Sequence, residues 1–374
     1  MKKVLNFLGK YIKGADKLLL TLCLVCSALS AVFLYIIHST YPDMYGKRIF
    51  VVQVAATFVG LAVMFAISLV DYRTMTKLWF IHMPLCILFV LSTFIWGVGR
   101  AGADDKAWVY IFGISVQPAE FLKLSFIITF SAHIQASKEN LNSFQNILLL
   151  ILHALIPIGL VMLQGDDGSA LVFLFIFAVM MFSAGVWYRY FVIGISALLA
   201  CLPIVWKFMM SNDQKLRFLV LFDDSYSAAV TYQQNSALKA IGSGGVWGSF
   251  LQGGRISYVP EMQNDMIFSF IGNALGFVGC VLILGLLLTI FIRMLHTGKN
   301  SPDLSSKVIC SGIFGMFIFQ TVVNIGMNLK IFPIVGITLP FFSAGGSSVL
   351  ISYAAIGIVM SIYIRNNNKL FLQI

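Results

Sequence analysis

The sequence predicts an all-α polytopic integral membrane protein, on three observations. Hydrophobic residues make up 59% of its 374 residues and charged residues only 11%, against roughly a quarter charged in a typical soluble domain. Ten stretches are mostly apolar over about the 20 residues that a membrane-crossing helix needs. The cations fall unevenly between alternate gaps. This composition excludes a soluble enzyme, a disordered chain, a coiled coil and a disulfide scaffold. A formal net charge of +10 suggests nucleic acid, but no basic, aromatic-interleaved run supplies such a surface. Membrane topology explains the cations better.

The predicted spans are 17–37, 48–70, 78–98, 118–136, 145–164, 168–185, 189–210, 266–293, 306–329 and 344–365. The first follows Lys2, Lys3, Lys10 and Lys13. That resembles a secretory leader, but the apolar run is long and lacks a small-residue cleavage site, so a retained helix is expected. The fourth opens on Pro118, which suits a first helical turn because the missing N–H bonds nothing there. The fifth and sixth are divided by the turn Gln164-Gly165-Asp166-Asp167-Gly168-Ser169. The eighth opens behind Pro260-Glu261-Met262-Gln263-Asn264-Asp265, and the tenth follows a run broken by proline and glycine over 332–348. Residues 1–374 are read as a single domain without internal repeat.

With the N-terminus inside, the inner segments carry Lys2, Lys3, Lys10, Lys13, Lys17, Arg73, Lys77, Lys138, Arg189, Arg293, Lys299, Lys307, Arg365 and Lys369, whereas the short outer loops carry only Lys47, Arg48, Arg100, Lys106 and Lys330. The 211–265 stretch weighs little, since the rule counts short loops. Both termini are therefore predicted cytoplasmic. The longer gaps 99–117, 211–265 and 330–343 then face outward, with a long extracytoplasmic loop between helices 7 and 8. Most carboxylates also fall outside, so chemistry is sought there.

Cys23 and Cys26 have C-x-x-C spacing but sit mid-span without a second ligand pair, and are read as packed small residues. His133 and His153 are read as packed, hydrogen-bonded histidines. No metal ligand set is assigned.

Glu120 and Lys123, three apart on one helix face at the membrane boundary, have two readings: a structural ion pair or a functional site. Asp265 is an N-cap candidate and a catalytic candidate, and the roles can coexist. Gly242, Ser243, Gly244 and the glycines around them allow close backbone approach or anion-binding turns. A flexible re-entrant segment is the alternative. The Pro340 and Gly345-Gly346-Ser347-Ser348 stretch reads as a cavity wall, since irregular backbone at membrane depth must be buried in protein or line a cavity.

Taken in order, these motifs resemble the SEDS family, the RodA, FtsW and SpoVE group of bacterial cell-wall polymerases. Gln117-Pro118-Ala119-Glu120-Phe121-Leu122-Lys123-Leu124 looks like its Q-P-S-E-F-x-K-L, and Gln164 to Ala170 like Q-P-D-x-G-T-A. Arg217 to Asp223 is similar to R-x-x-x-F-L-D, and Ile241 to Gly245 matches I-G-S-G-G. Asn264 to Phe268 looks like T-D-F-I-F. Asn324-Ile325-Gly326-Met327, Leu339-Pro340-Phe341 and Gly345 to Ser348 match the final signature. Departures are Ala107 at an arginine position (with Lys106 beside it and Trp108 kept), Ser236-Ala237 for Gln-Ser, Thr338 for a proline and Ala344 for a tyrosine.

The resemblance implies a peptidoglycan glycosyltransferase that polymerises lipid II on the outer face of the cytoplasmic membrane beside a class B penicillin-binding protein. It places the key aspartate on Asp265 and the paired residues on Glu120 and Lys123, all three expected to be catalytic. A carboxylate base would activate a sugar hydroxyl, and Lys123, Arg217, Arg255 and Lys106 would offset charge on the leaving group. Substrate contacts are expected from Lys106, Trp108, Gln117, Asp166, Arg217, Gln233, Gly242, Ser243, Gly244, Arg255, Ser343, Gly345, Gly346, Ser347 and Ser348. A divalent cation, Mg or Mn, is reasonable on a pyrophosphate. The rival readings are a lipid II flippase and a catalytically silent scaffold for the penicillin-binding protein.

Overall fold

The computed structural model describes residues 11, 13–99, 106–111, 113–223, 225 and 228–367. Lys2, Lys3, Lys10, Arg100, Ala101 to Asp105 and Lys369 lie outside the described residues. Among those described, the helices are α1 (Lys17–Thr40), α2 (Arg48–Leu69), α3 (Tyr72–Lys77), α4 (Trp79–Trp96), α5 (Pro118–Ala136), α6 (Phe144–Leu163), α7 (Asp167–Ala184) and α8 (Tyr188–Ile204). They continue with α9 (Asn212–Leu219), α10 (Ala228–Ser243), α11 (Ile267–Lys299), α12 (Leu304–Asn328) and α13 (Gly346–Asn367). A hairpin of β1 (Val109–Ile111) and β2 (Ile114–Val116) precedes α5.

All ten predicted spans are present as long helices, and nine of these are long and apolar enough to cross a membrane. The exception is α5. It carries Glu120 and Lys123 and is buried along most of its length, packed on α3, α4, α6, α7, α12 and α13. A helix enclosed by protein need not match the hydropathy of lipid. At the opposite extreme, no residue of α8 is buried. The 211–265 stretch, expected as a loop, folds in part into α9 and α10. α9 starts with a capping box, Ser211 and Gln214 each bonding the other's backbone.

Small residues let the longest helix contact form. α13 lies along α2, where a Cβ on Gly60 would stand 2.8 Å from the Tyr353 ring and one on Gly357 2.8 Å from the Met64 carbonyl. Close approach of this kind is how helices associate where lipid removes the hydrophobic driving force.

Asp16, Asp71 and Asp303 lie at one end of the bundle. Asp16 caps α1 through the Leu19 N–H at 3.1 Å, and its other oxygen accepts from Arg293 on α11 at 2.6 and 2.9 Å. Asp71 pairs with Arg365 at 3.2 Å. Asp303 accepts from the Tyr72 hydroxyl at 2.6 Å; burial first, then this carboxylate, push the phenol's pKa up. Arg293→Leu should lower stability by about 3 kcal/mol, because it leaves a carboxylate that is 2% exposed without its cation. Thermal unfolding in detergent measures this, and an unchanged midpoint would mean that the pair stabilises nothing.

Candidate active site

At the opposite end, α5, α7, α11 and α13 begin together. The Gln117 N–H, just ahead of α5, donates to Ser347 Oγ at 3.2 Å, and its side-chain Nε2 donates to Asp166 Oδ2 at 2.5 Å. Asp166 Oδ1 accepts from the Ser169 N–H at 2.9 Å, capping α7. Ser343 Oγ, just ahead of α13, donates to the Asn264 carbonyl at 2.7 Å, and the Ala344 N–H donates to the Gln263 carbonyl at 2.7 Å. The residues leading into the four helices are thus cross-linked. Each helix start carries about half a positive charge, although the Ser169 and Ser269 N–H groups are already capped. Together they form a place for an anion.

Asp265 ends the irregular segment before α11 and is 4% exposed. The N-cap expected of it is corrected by the geometry. The cap position is Met266, with no side-chain capping bond, and the Ser269 N–H donates to Asn328 Oδ1 at 2.9 Å. The helix is therefore capped from α12. Asn324 and Asn328 also donate to the Asp265 carbonyl at 2.9 and 3.0 Å, fixing its main chain from two successive turns of one helix. Upstream, Glu261 holds φ 57° while its carboxylate accepts from Gln263 Nε2 and Asn264 Nδ2 at 3.1 and 2.7 Å. Such a backbone costs on the order of 1 kcal/mol and persists because its surroundings enforce it.

Glu120 and Lys123 form an ion pair at 2.6 Å, 6% and 1% exposed. The carboxylate stands in the first turn of α5, where the helix dipole favours it. The ammonium is sealed behind it. Lys123 therefore holds Glu120 and has almost no surface of its own to offer a ligand.

Other expected site residues sort by place. Ser348 Oγ meets Thr338 Oγ1 at 3.1 Å, so the threonine that replaces a proline gains a bond. Gly345 donates its N–H to Gln53, and Gly346 opens α13. Arg217, half-buried on α9, donates to the Ile334 carbonyl at 3.1 Å, which ties α9 to the wall segment. Asp167 beside Asp166 accepts from Gln214 of α9. Ala107 is 1% exposed while Lys106 is exposed. The Lys106 N–H donates to the Gln164 carbonyl at 3.0 Å, and Trp108 pairs with Val98 across a β-bridge. Arg255 is exposed in the segment before α11. Gln233 is half-buried on α10; the buried amide there is Gln234, which donates to the Phe332 carbonyl at 2.9 Å.

The glycine loop has a structural partner. α11 breaks at Gly276, with φ 68° and ψ −165°, and the loop fills the break. The Phe277 N–H donates to the Gly245 carbonyl at 2.9 Å, and the Ser249 N–H to the Asn273 carbonyl at 2.8 Å. A Cβ on Gly244 would lie 2.0 Å from the Gly272 carbonyl. Close backbone approach therefore accounts for Gly244, and the flexible re-entrant alternative is corrected, because the loop is bonded to a helix. Gly242 and Ser243 are exposed. Gly244→Ala should destabilise the protein by about 2–3 kcal/mol, within the range for overpacked sites. Gly242→Ala, with open space at its Cβ, should not. Detergent melting curves of both variants compare them.

The histidines are packed as expected. His133 and His153 bond through their Nδ1 atoms at 3.0 Å, and His153 Nε2 meets Thr129 Oγ1 at 3.3 Å. Among the described residues no group of three or more His, Cys, Asp or Glu gathers as a metal site. Sequence reasoning missed Gln53 and the capping role of Asn328. A lone amide within an apolar span is the signal that points to the first. An asparagine one turn beyond Asn324 points to the second.

The family model described as cell cycle protein, of the FtsW, RodA and SpoVE type, matches residues 16–368. The chain is 29% identical over 361 residues to stage V sporulation protein E of Bacillus subtilis, covering 93% of this chain and 96% of that protein. It is 32% identical to a probable peptidoglycan glycosyltransferase FtsW of Thiomicrospira cyclica, covering 84% and 81%. It is 28% identical to the peptidoglycan glycosyltransferase RodA of Treponema pallidum, covering 95% and 99%. Among solved structures it is similar to a chain of a peptidoglycan synthase complex that coordinates polymerization and crosslinking, with TM-score 0.82, 27% identity and 95% and 99% coverage. Thermus thermophilus RodA is similar at TM-score 0.71 and 26% identity, with 95% and 98% coverage. The match along nearly the whole chain, on a fold with the same arrangement of helices, means that this protein belongs to the FtsW/RodA/SpoVE family.

Proposed function

We propose that this chain is a peptidoglycan glycosyltransferase that polymerises lipid II at the outer face of the cytoplasmic membrane, with both termini inside. The observation that carries the reading is the meeting of four helix starts with a buried aspartate and a buried ion pair at one end of the bundle. The helix dipoles suit a pyrophosphate. The glycosyltransferase names of the relatives support the reaction class.

The reaction is a single inverting displacement. The 4-hydroxyl of one lipid II attacks the anomeric carbon of the growing chain. A glycosidic C–O bond forms as the C–O bond to the lipid pyrophosphate breaks, and the pyrophosphate keeps the electron pair. The hydroxyl proton passes to Asp265. The leaving group needs positive charge more than an acid. The helix starts supply it, with Arg217, Arg255 and Lys106 as the accessible cations, while Lys123 holds Glu120 in place. Mg or Mn bound to the pyrophosphate would add charge. A class B penicillin-binding protein is the proposed partner, supported by the similar chain from a complex that couples polymerization to crosslinking.

The test is polymerisation of labelled lipid II by the purified chain, with and without its penicillin-binding protein. Glycan strands support the reading. Their absence from folded protein beside an active control enzyme would favour a scaffold.

A further inference from the structure

Gln53 lies on α2 and is 1% exposed. An amide enclosed in an apolar span must find its partners within the protein, and Gln53 finds most of them on one segment. Its Nε2 donates to Ser30 Oγ on α1 at 3.0 Å and to the Ser343 carbonyl at 3.3 Å. Its Oε1 accepts from the Gly345 N–H at 3.3 Å. Ser30 Oγ in turn donates to the Phe342 carbonyl at 2.8 Å. Gln53 and Ser30 thus hold the main chain at Phe342, Ser343 and Gly345.

That segment has reason to be held. Phe341 has φ 66°, a strained backbone that only its surroundings maintain. The gripped residues are also the ones that reach the lead-in of α11, through Ser343 Oγ to the Asn264 carbonyl and the Ala344 N–H to the Gln263 carbonyl. Two residues beyond Gly345, Ser347 accepts from the Gln117 N–H ahead of α5. One grip therefore sets two halves of the site in a common frame. The two contacts from this segment to the turn before Asp265 run through main-chain atoms of residues 263 and 264, so an alanine at position 344 does not weaken them.

We propose that Gln53 is a positioning residue for Asp265. Through the main chain of residues 343–345 it fixes the turn at Gln263 and Asn264, and so the placement of the Asp265 carboxylate against the starts of α5 and α13. The proposal rests on the reading of Asp265 as the base. Misplacing a reacting group by about 1 Å can lower a rate about 100-fold, which is the scale of effect expected when the grip is lost.

The test uses the full chain with its penicillin-binding protein. Gln53→Leu should lower kcat about 10- to 100-fold and change KM for lipid II by less, because contacts to so large a substrate are spread over elements that Gln53 does not touch. Hydrogen exchange should quicken at the amides of 263–266 and 344 and stay unchanged in the middle of α12. Gln53→Glu, protonated at this depth, keeps a donor and an acceptor and should recover part of kcat. Thr57→Val, one turn along α2 where the hydroxyl donates to the Gln53 carbonyl, should change neither readout. Wild-type kcat and exchange in Gln53→Leu would overturn the proposal. So would faster exchange throughout α1 and α2, which is loss of fold and not of position. Asp265→Asn, measured alongside, separates the two claims. If it stays active, the base assignment fails. If it is inactive while Gln53→Leu matches wild type, only the positioning role fails.

Discussion

Asp265→Asn is expected to lower lipid II polymerisation about a thousandfold, within the range that a positioned general base contributes. The amide has the shape of the carboxylate but cannot take a proton from the attacking hydroxyl. The main chain at this residue is held by Asn324 and Asn328 through its carbonyl, and the substitution leaves that oxygen in place. Capping of α11 comes from Asn328, so the helix start does not depend on the side chain either. Melting temperature should therefore move little while the rate collapses. A variant that polymerises within about tenfold of wild type would remove Asp265 from the role of base, since even the low end of that catalytic range exceeds it.

The second large effect concerns the ion pair. Glu120→Ala should destabilise the protein by about 3–5 kcal/mol, the penalty for leaving one buried charge without its partner. Lys123→Met should do the same from the other side. The informative variant removes both charges at once. With Glu120→Leu and Lys123→Met together, neither charge remains to be desolvated, and stability should return to near wild type. Polymerisation should not return, because the site loses the charged pair at the start of α5. Unfolding and lipid II polymerisation measured on the same preparations make the comparison. Full activity in the stable double variant would reduce the pair to a structural tie.

Much of the fold was legible because membrane spans are local: about 20 apolar residues announce themselves wherever they pack. α5 was legible for a different reason. Its Pro118 and its motif mark it, although it is the one long helix too polar to qualify as an apolar span. The stretch 211–265 lacks a long apolar run and so reads as a loop, yet Ser211 and Gln214 carry the spacing of a capping box, the local signal for α9. At the site, residue identities were legible and their partners were not. Asp265 before an apolar run looks like an N-cap. The residue that caps instead lies 59 positions from the amide it serves, and no local rule reaches that far. Gly244 likewise shows that backbone must come close there, but not that the backbone is a broken α11.

The break in α11 also bears on how the protein sits in bilayers of different thickness. The whole helix, Ile267–Lys299 with 33 residues, would be about 50 Å long if straight, at 1.5 Å per residue. A hydrocarbon core is about 30 Å thick. The portion after Gly276 is about 35 Å long by itself, enough to cross with a modest tilt. The portion before it, which carries the end nearest Asp265, is not needed for crossing, and the glycine loop bonds to both sides of the break, at Asn273 and Phe277. A thinner or thicker membrane can then be met at the far end of the crossing portion, at a cost of fractions of a kcal/mol per ångström of mismatch. The turn that holds the aspartate keeps its place among the other helix starts.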